Sequence, residues 1–244
     1  ILAMDLYTRI PFSTIGKSNQ EIIQLAQIIN RTPDAVAYKM SNLAHYDPEL
    51  QARNVSGLSH TSKLDKIIYD EFADNIEELS FIAQSLLAQM QHTSVEKLLP
   101  DLQLDHIPSG IDKDQQTKIR IGQYFFRMSV LMSYGNACCI TGLKNKELLV
   151  ASHIKPWSVS DVKTERTNPS NGLCLNAMHD KAFDRGFITI DKNYRIVNSR
   201  FIEDAVMDDK TREWFSYYNG QKIILPDKFM PGKQFIEYHN DVIF

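Results

Sequence analysis

Two histidines and one asparagine in the second half of the chain have side chains and a spacing that could do chemistry. His153 ends the apolar run "LLVASH", Asn171 stands directly before the apolar stretch "GLCL", and His179 follows on the next segment. An imidazole titrates near neutral pH, so it can take up a proton as a general base or bind a metal as a neutral ligand. Either histidine alone is more often a packed or surface residue, so the prediction depends on their arrangement.

The segments that carry these residues follow one another in a definite order. Their patterns predict a strand that ends at His153, a polar loop, a short strand after Asn171, and a helix with His179 that ends at Gly186. Further on, "FITIDKNYRIV" predicts two alternating strands around a turn. A histidine at a strand end is held rigidly, which suits a reaction that depends on orientation.

The same region contains four short motifs in a fixed order, "CITG", "HIKPW", "NGLCL" and "HDKAFDRG". Together they resemble the HNH endonuclease family, in the branch typical of bacterial restriction-type HNH endonucleases. The resemblance covers roughly residues 118–244, including the closing "ILPDKFMPGKQFIEYHNDVIF". It implies a ββα-metal fold that hydrolyses phosphodiester bonds.

The resemblance also implies roles for individual residues. His153 corresponds to the general base, and His179 corresponds to a metal ligand on the helix that packs across the two strands. Asn171 would brace the loop and help to orient the base or the metal-bound water. The expected cofactor is one divalent metal ion per active site, Mg²⁺, for which Mn²⁺ can substitute.

Two departures from the family pattern affect the expected metal ligands. Many HNH sites carry an aspartate before the base histidine, whereas this chain has Ser152, a poor ligand for a hard cation. Asp184 could supply the missing carboxylate, or it could cap the helix end or pair with an arginine. Cys138, Cys139 and Cys174 form no paired C-x-x-C motifs, so no structural zinc is expected.

The chain up to about residue 57 predicts a helical unit that could read DNA. "NQEIIQLAQIINRTPDAVAYKMSNL" reads as two short helices and a tight turn, with Thr32 as N-cap and Pro33 at the first helical position. The arrangement is similar to helix-turn-helix or Myb-like units, whose second helix enters the major groove. Arg31, Tyr38 and Lys39 are the predicted DNA-binding residues. An ordinary helical hairpin is the alternative interpretation.

Charge is unevenly distributed along the chain, whose formal net charge is −3. Residues 64–107 hold two basic and nine acidic side chains, a balance of −7, and residues 108–244 hold 19 basic and 16 acidic ones, a balance of +3. The acidic region has helical periodicity and is predicted to be a spacer or a packing helix over residues 64–91. We therefore expect an α+β protein with a helical domain at 1–100, a linker at 101–117 and an HNH nuclease domain at 118–244.

Composition restricts the location of the protein. No stretch approaches the roughly 20 apolar residues of a membrane span. The opening segment has Asp5 and Arg9 where a signal peptide needs an unbroken apolar core. Two of the three cysteines are sequence neighbours, so no disulfide framework is readable and the cytoplasm is the expected location.

These observations predict a metal-dependent endonuclease that acts on double-stranded DNA, with restriction of foreign DNA as its expected role. We expect a homodimer, at least on DNA, because a double-strand break requires two sites or two visits. The alternatives are a DNA-binding regulator with an inactive HNH domain, a nuclease specific for modified DNA (type IV), and an RNA-directed nuclease.

Overall fold

The computed structural model describes residues 1–52, 54, 55, 57, 58, 61–73, 75–99 and 113–244. Most of the predicted linker, residues 101–112, lies outside the described residues, and residues 113–117 begin a long helix. The chain divides into two compact units, Ile1–Phe125 and Phe126–Phe244. The division falls inside that long helix, which also contains the predicted domain start at residue 118.

The first unit is helical throughout its described residues. Helix α1 packs against α3 and α6, and α2 packs against α3. The fully buried apolar side chains of these helices include Met4, Ile22, Met40 and Leu79. The helices are α1 (Leu2–Arg9), α2 (Gln20–Ile28), α3 (Pro33–Ala44), α4 (Pro48–Ala52), α5 (Lys63–Phe72), α6 (Ile76–Met90) and α7 (Val95–Leu98).

The predicted pair of helices in the first unit is confirmed as α2 and α3. The hydroxyl of Thr32 accepts a hydrogen bond from the backbone N–H of Ala35 at 3.2 Å, and Pro33 lies in the first turn, where its missing N–H costs nothing. Asn30 has a φ of 51°, a left-handed conformation that asparagine tolerates better than most residues. These two features reverse the chain sharply between the helices.

The acidic segment predicted as one helix over residues 64–91 forms two helices instead. Helix α5 ends at Phe72 and α6 begins at Ile76. Asn75 stands at the N-cap position of α6, and two glutamates occupy the first turn. Acidic side chains stabilise the start of a helix because they lie at the positive end of its dipole. The start of α6 is therefore encoded by the local sequence.

The second unit begins within α8 (Lys113–Ser133) and contains two antiparallel sheets, each of two strands, in its described residues. Strand β1 (Leu149–His153) pairs with β2 (Gly172–Asn176), and β3 (Ile188–Ile190) pairs with β4 (Ile196–Asn198), as the sequence predicted. The other helices are α9 (Ala177–Asp184), α10 (Arg200–Glu203), α11 (Asp209–Tyr218) and α12 (Lys233–Val242).

Strand β2 lies at the centre of the second unit. All of its residues are buried, and Leu173, Cys174 and Leu175 belong to one apolar core together with Phe126 of α8 and Phe183 of α9. A strand that is covered on both faces has a continuous apolar sequence, which explains "GLCL". The helix-rich structure with two small sheets agrees with the α+β class. Among the helices that the structure describes, none combines the length and apolar character of a membrane span.

Candidate active site

The two histidines predicted to act together lie at opposite ends of the β1–β2 hairpin. His153 is opposite Gly172, whereas Asn176, which is opposite Leu149, caps the helix that carries His179. Four residue steps separate these two ends, about 14 Å along an antiparallel strand. The hairpin therefore does not place both imidazole rings at one point.

His153 is held in one orientation by three contacts. Its Nε2 lies 2.9 Å from the carbonyl oxygen of Arg166, and because a carbonyl can only accept, the ring must donate through Nε2–H. One face of the ring stacks on Phe126 with 3.7 Å between centroids, and Trp157 meets the ring edge-on at 5.6 Å. The neutral ring therefore has its lone pair on Nδ1.

The protonation state of His153 follows from its surroundings. Burial lowers the pKa of His153 from 6.5 to about 4, and the hydrogen bond with Arg166 acts in the opposite direction without cancelling this. The imidazole is therefore neutral at pH 7 and can accept a proton. A phosphate bound nearby would raise this pKa, because an anion stabilises the imidazolium form.

Gly172 allows α8 to approach the hairpin opposite His153. A Cβ atom at this position would lie 2.4 Å from Cγ2 of Val130 and 2.9 Å from Cζ of Phe126, distances that real side chains do not adopt. Any larger residue would push Phe126 away from the histidine ring. The glycine after Asn171 is therefore part of what positions His153.

Asn171 closes the loop between β1 and β2. Its side chain is 0% exposed, and its Oδ1 accepts a hydrogen bond from the backbone N–H of Lys155 at 2.8 Å. Its Nδ2 donates to the carbonyl oxygen of Lys155 at 3.1 Å, to Oγ of Ser160 at 3.3 Å and to the carbonyl oxygen of Glu165 at 3.4 Å. One amide thus ties together three parts of the loop, next to the carbonyl group that anchors His153.

An ion pair forms a second tie across the same loop. Nζ of Lys155 donates to Oε2 of Glu165 at 2.5 Å, and the backbone N–H of Asp161 donates to the same oxygen at 2.8 Å. The hydrogen bond from Lys155 is the main reason why the pKa of Glu165 is lowered. Glu165 therefore stays ionised and holds the loop closed over most of the accessible pH range.

The loop residues Lys155, Glu165 and Arg166 were missed by the sequence prediction, as was Phe126 on α8. The loop residues had a weak signal, because they are charged and lie between His153 and Asn171. Phe126 had none, since its contact with His153 spans 27 residues of sequence. Only the folded chain brings these groups to the base.

His179 is enclosed by aromatic side chains. It is 1% exposed, stacks on Trp214 with 4.2 Å between centroids, and meets Phe215 and Tyr218 edge-on. Oδ1 of Asn176 caps α9 by accepting from two backbone N–H groups, so its Nδ2 faces Nδ1 of His179 at 2.9 Å and donates to it. Burial lowers the pKa of His179 to about 4. The neutral ring therefore carries its proton on Nε2.

The hairpin and α9 coincide with a known domain. Residues 138–191 match the family model described as HNH endonuclease. The match contains β1, the loop, β2 and α9, and with them His153, Asn171 and His179. The chain carries an HNH endonuclease domain.

Comparison with solved structures and curated proteins adds little detail. The structure titled "Modification dependent TagI restriction endonuclease" is similar with a TM-score of 0.30 and 17% sequence identity, over 48% of this chain and 36% of that one. This chain thus spans little more than a third of that protein. No curated protein matches the chain.

The predicted metal ligands of the HNH domain do not form a metal-binding set in this arrangement, although HNH nucleases generally use a divalent metal ion. In His179, Nδ1 accepts from Asn176 and Nε2 carries the proton, so neither nitrogen offers a lone pair. Asp184 is exposed at the end of α9, and Oγ of Ser152 is buried with no hydrogen-bond partner in the described part of the chain. Within the described ranges, no three His, Cys, Asp or Glu side chains are placed to share a metal.

The three predicted DNA-binding residues of the first unit have different surroundings. Arg31 is exposed, and its Nη1 donates to the neighbouring carbonyl oxygen of Asn30 at 3.2 Å. Tyr38 is 53% exposed on α3. Lys39 instead forms an ion pair of 2.7 Å with the buried carboxylate of Asp65. Arg31 and Tyr38 are therefore presented to solvent, whereas Lys39 has a partner inside its own unit.

A cavity of about 770 Å³ opens at the Asn176 end of the hairpin. It is lined mainly by apolar and aromatic side chains, among them Leu143, Met178, Trp214 and Tyr218. Its lining includes no histidine and no carboxylate, the side chains that most often act as general acids and bases. His153 lies at the opposite end of the hairpin, and the candidate active site of the HNH domain is therefore separate from this cavity.

Proposed function

We propose that this protein is a nuclease that hydrolyses phosphodiester bonds of double-stranded DNA with His153 as its general base. The observation that carries the proposal is the state of His153: its Nε2–H is bound to a carbonyl oxygen, its ring is neutral, and its Nδ1 has no hydrogen-bond partner among the described residues. Hydrolysis requires a base that removes a proton from the attacking water. A base fixed by its neighbours loses little orientational freedom in the reaction.

Asn171 supports the reaction by positioning the base. It holds the loop whose carbonyl group at Arg166 orients His153, so it acts through the base without contact with the substrate. This is the bracing role expected from the family resemblance, and the hydrogen bonds of its amide support it.

The proposed biological role is restriction of foreign DNA. Helix α3, with Tyr38 on its surface and the exposed Arg31 just before its start, is the proposed DNA-reading element of the first unit. The proposed active form is a homodimer on DNA, and the proposed cofactor is Mg²⁺. The predicted ligands remain His179 and Asp184, and His179 would have to exchange its hydrogen bond with Asn176 for the ion, because its Nδ1 accepts from Asn176 in this arrangement.

A DNA-binding regulator with an inactive HNH domain is the second candidate function. It is favoured by Ser152, which stands where many relatives have a metal-binding aspartate, and by the packed state of His179. It is disfavoured by the orientation of His153, since a protein without chemistry has no need of an available lone pair at that position.

The two candidates are separated by incubating the purified protein with plasmid DNA, with genomic DNA of differing methylation, and with RNA. Each substrate is tested with Mg²⁺, with Mn²⁺ and with a chelator. We expect cleavage of DNA with either metal and none with the chelator. Binding without cleavage under every condition would identify the regulator, and cleavage restricted to methylated DNA or to RNA would assign the corresponding alternative substrate.

A further inference from the structure

The side chain of Arg166 lies beside the candidate base. Its backbone carbonyl accepts the hydrogen bond from His153, and its guanidinium carbon lies 5.3 Å from the ring centroid of Trp157, the residue that meets His153 edge-on. Contact with an indole face within about 6 Å is an attractive cation–π interaction. Nε of Arg166 donates to the carbonyl oxygen of Ser160 at 3.1 Å, which fixes the Nε end of the guanidinium group.

Arg166 has no carboxylate partner among the described residues, whereas the nearby Lys155 has one. Lys155 is paired with Glu165, and Arg127 donates to the carbonyl oxygens of Leu149 and Lys146. The structure records no hydrogen bond from either Nη group of Arg166 to another described residue. The two Nη groups of a guanidinium that lies against Trp157, a ring in contact with His153, therefore have no hydrogen-bond partner among the described residues.

We propose that Arg166 binds the scissile phosphate of the DNA through the Nη groups of its guanidinium. The inference rests on the proposed function, since it requires a phosphodiester beside His153. A guanidinium presents paired N–H donors that match two phosphate oxygens, and it stays charged at any pH at which the enzyme works. The cation–π contact with Trp157 holds it in place before the substrate arrives.

The position of Arg166 also suits the reaction step. The oxygen of water forms a bond to phosphorus while its proton passes to Nδ1 of His153, and one P–O ester bond breaks, leaving its electron pair on an oxygen that takes a proton from solvent. Negative charge builds up on the phosphoryl oxygens during this step. A cation already aimed at them stabilises the transition state without reorganisation.

Four variants test the proposal. Arg166→Gln removes the charge, and Arg166→Lys keeps the charge but loses the paired donors. Arg200→Gln is the matched control, because Arg200 is an exposed arginine of the same unit on α10. DNA affinity is measured in the His153→Ala background, where no substrate is consumed. The single-turnover rate, the melting temperature and the pKa of His153 by NMR are measured with His153 present.

We expect Arg166→Gln to lower the single-turnover rate by about 10²–10³-fold, as for the loss of one preorganised donor. In the His153→Ala background it should weaken DNA binding and reduce the slope of log affinity against log salt by about 1. Arg166→Lys should keep the salt slope and still lose most of the rate. The pKa of His153 in the free protein should not change, and Arg200→Gln should behave as wild type.

A wild-type rate in Arg166→Gln would overturn the proposal. So would a lower rate with unchanged DNA affinity and a shifted His153 pKa, because Arg166 would then act by positioning the base. If Arg166→Gln has a strongly lowered melting temperature, Arg166→Lys decides the question instead. Full activity of Arg166→Lys would contradict recognition of the phosphate by paired N–H donors. If the wild-type protein does not cut DNA at all, the proposed function fails. The DNA affinity of His153→Ala, compared with that of the His153→Ala, Arg166→Gln double variant, still decides whether Arg166 binds a phosphate.

Discussion

The chemical state of His153 depends on a side chain that does not touch it. The ring donates to a backbone carbonyl, that carbonyl belongs to a loop, and the loop is closed by the amide of Asn171. A carbonyl acceptor selects the tautomer with its proton on Nε2, which leaves Nδ1 for the substrate side. In the proposed mechanism, Asn171 therefore helps to hold the carbonyl group that leaves Nδ1 of His153 as the base.

Replacing Asn171 by Ala should lower both stability and activity. The backbone N–H of Lys155 would lose its acceptor in a buried site, and each such unsatisfied group costs about 1–3 kcal/mol. We expect the free energy of unfolding in urea to fall by that amount and cleavage to fall with it. Asn193→Ala, at an exposed turn, is the control and should change neither. Unchanged stability of Asn171→Ala would show that its hydrogen bonds do not hold the loop.

The buried histidines make the stability of the second unit depend on pH. Burial lowers the pKa of His153, His179 and His239 from 6.5 to about 4, so between these values the unfolded chain binds protons that the folded chain does not. Stability should therefore be complete above pH 6.5 and fall as the pH drops towards 4. At pH 5 the loss is about 2 kcal/mol for each of the two fully buried rings, His179 and His239.

Urea unfolding at pH 7 and pH 5 measures this dependence. His239→Gln removes one titrating ring, so its stability difference between the two pH values should be smaller than that of the wild type by about 2 kcal/mol. Equal differences in the two proteins would mean that His239 is not held neutral by the fold.

The strand–loop pattern and the family resemblance singled out His153 and Asn171, but not the groups that surround them in the structure. Both residues are marked by the switch from an apolar strand pattern to a polar loop, which is a local signal. The stacking partner Phe126 and the ring that covers His179, Trp214, come from distant helices. Long-range contacts leave no periodic trace in the sequence, so the packed state of His179 was not predictable.

At the scale of elements, helix α3 combines a predicted DNA-reading role with a structural one. Arg31 precedes the helix and is exposed, whereas Lys39 donates to Asp65, the residue that completes the capping box at the start of α5. We expect Arg31→Ala to weaken duplex binding and to reduce the salt slope by about 1. Lys39→Ala should instead lower the free energy of unfolding by up to about 1 kcal/mol, the range of a solvent-accessible ion pair.

Fluorescence anisotropy at several salt concentrations, with urea unfolding of the same variants, separates the two roles. Lys17→Ala, at an exposed lysine outside α3, serves as the control. A salt slope that is unchanged in Arg31→Ala and in Tyr38→Ala would mean that α2 and α3 are a packing element, and DNA recognition would then lie in the HNH domain.

The start of α3 could be predicted from the sequence, but the burial of charged side chains in the first unit could not. Thr32 and Pro33 mark the start of α3 through local chemistry. Asp5 and Arg9, which look like surface charges, form an ion pair of 2.7 Å in which both side chains are buried (1% and 8% exposed). Charged residues are almost never fully buried without a partner, and here the partner lies one helical turn away. Spacing of i and i+4 permits this pair without predicting its burial.

At the scale of the whole molecule, the proposed chemistry makes a prediction about assembly. One base attacks one phosphodiester, so a simultaneous double-strand break requires two copies of the site. We expect a homodimer on a cognate duplex, with two recognition helices on opposite half-sites. Light scattering with and without duplex measures this. A protein that stays monomeric on DNA, with plasmid digests that pass through a long-lived open-circular form, is a nickase instead.

The single-turnover cleavage rate of His153→Ala tests the proposed base most directly. We expect a loss of about 10²–10⁴-fold, with the melting temperature and the DNA affinity largely retained, because a general base acts on the chemical step. His92→Asn is the control, since His92 is exposed in the first unit and has a φ of 51° that asparagine tolerates. A His153→Ala protein that cuts DNA at the wild-type rate would show that His153 is not the base.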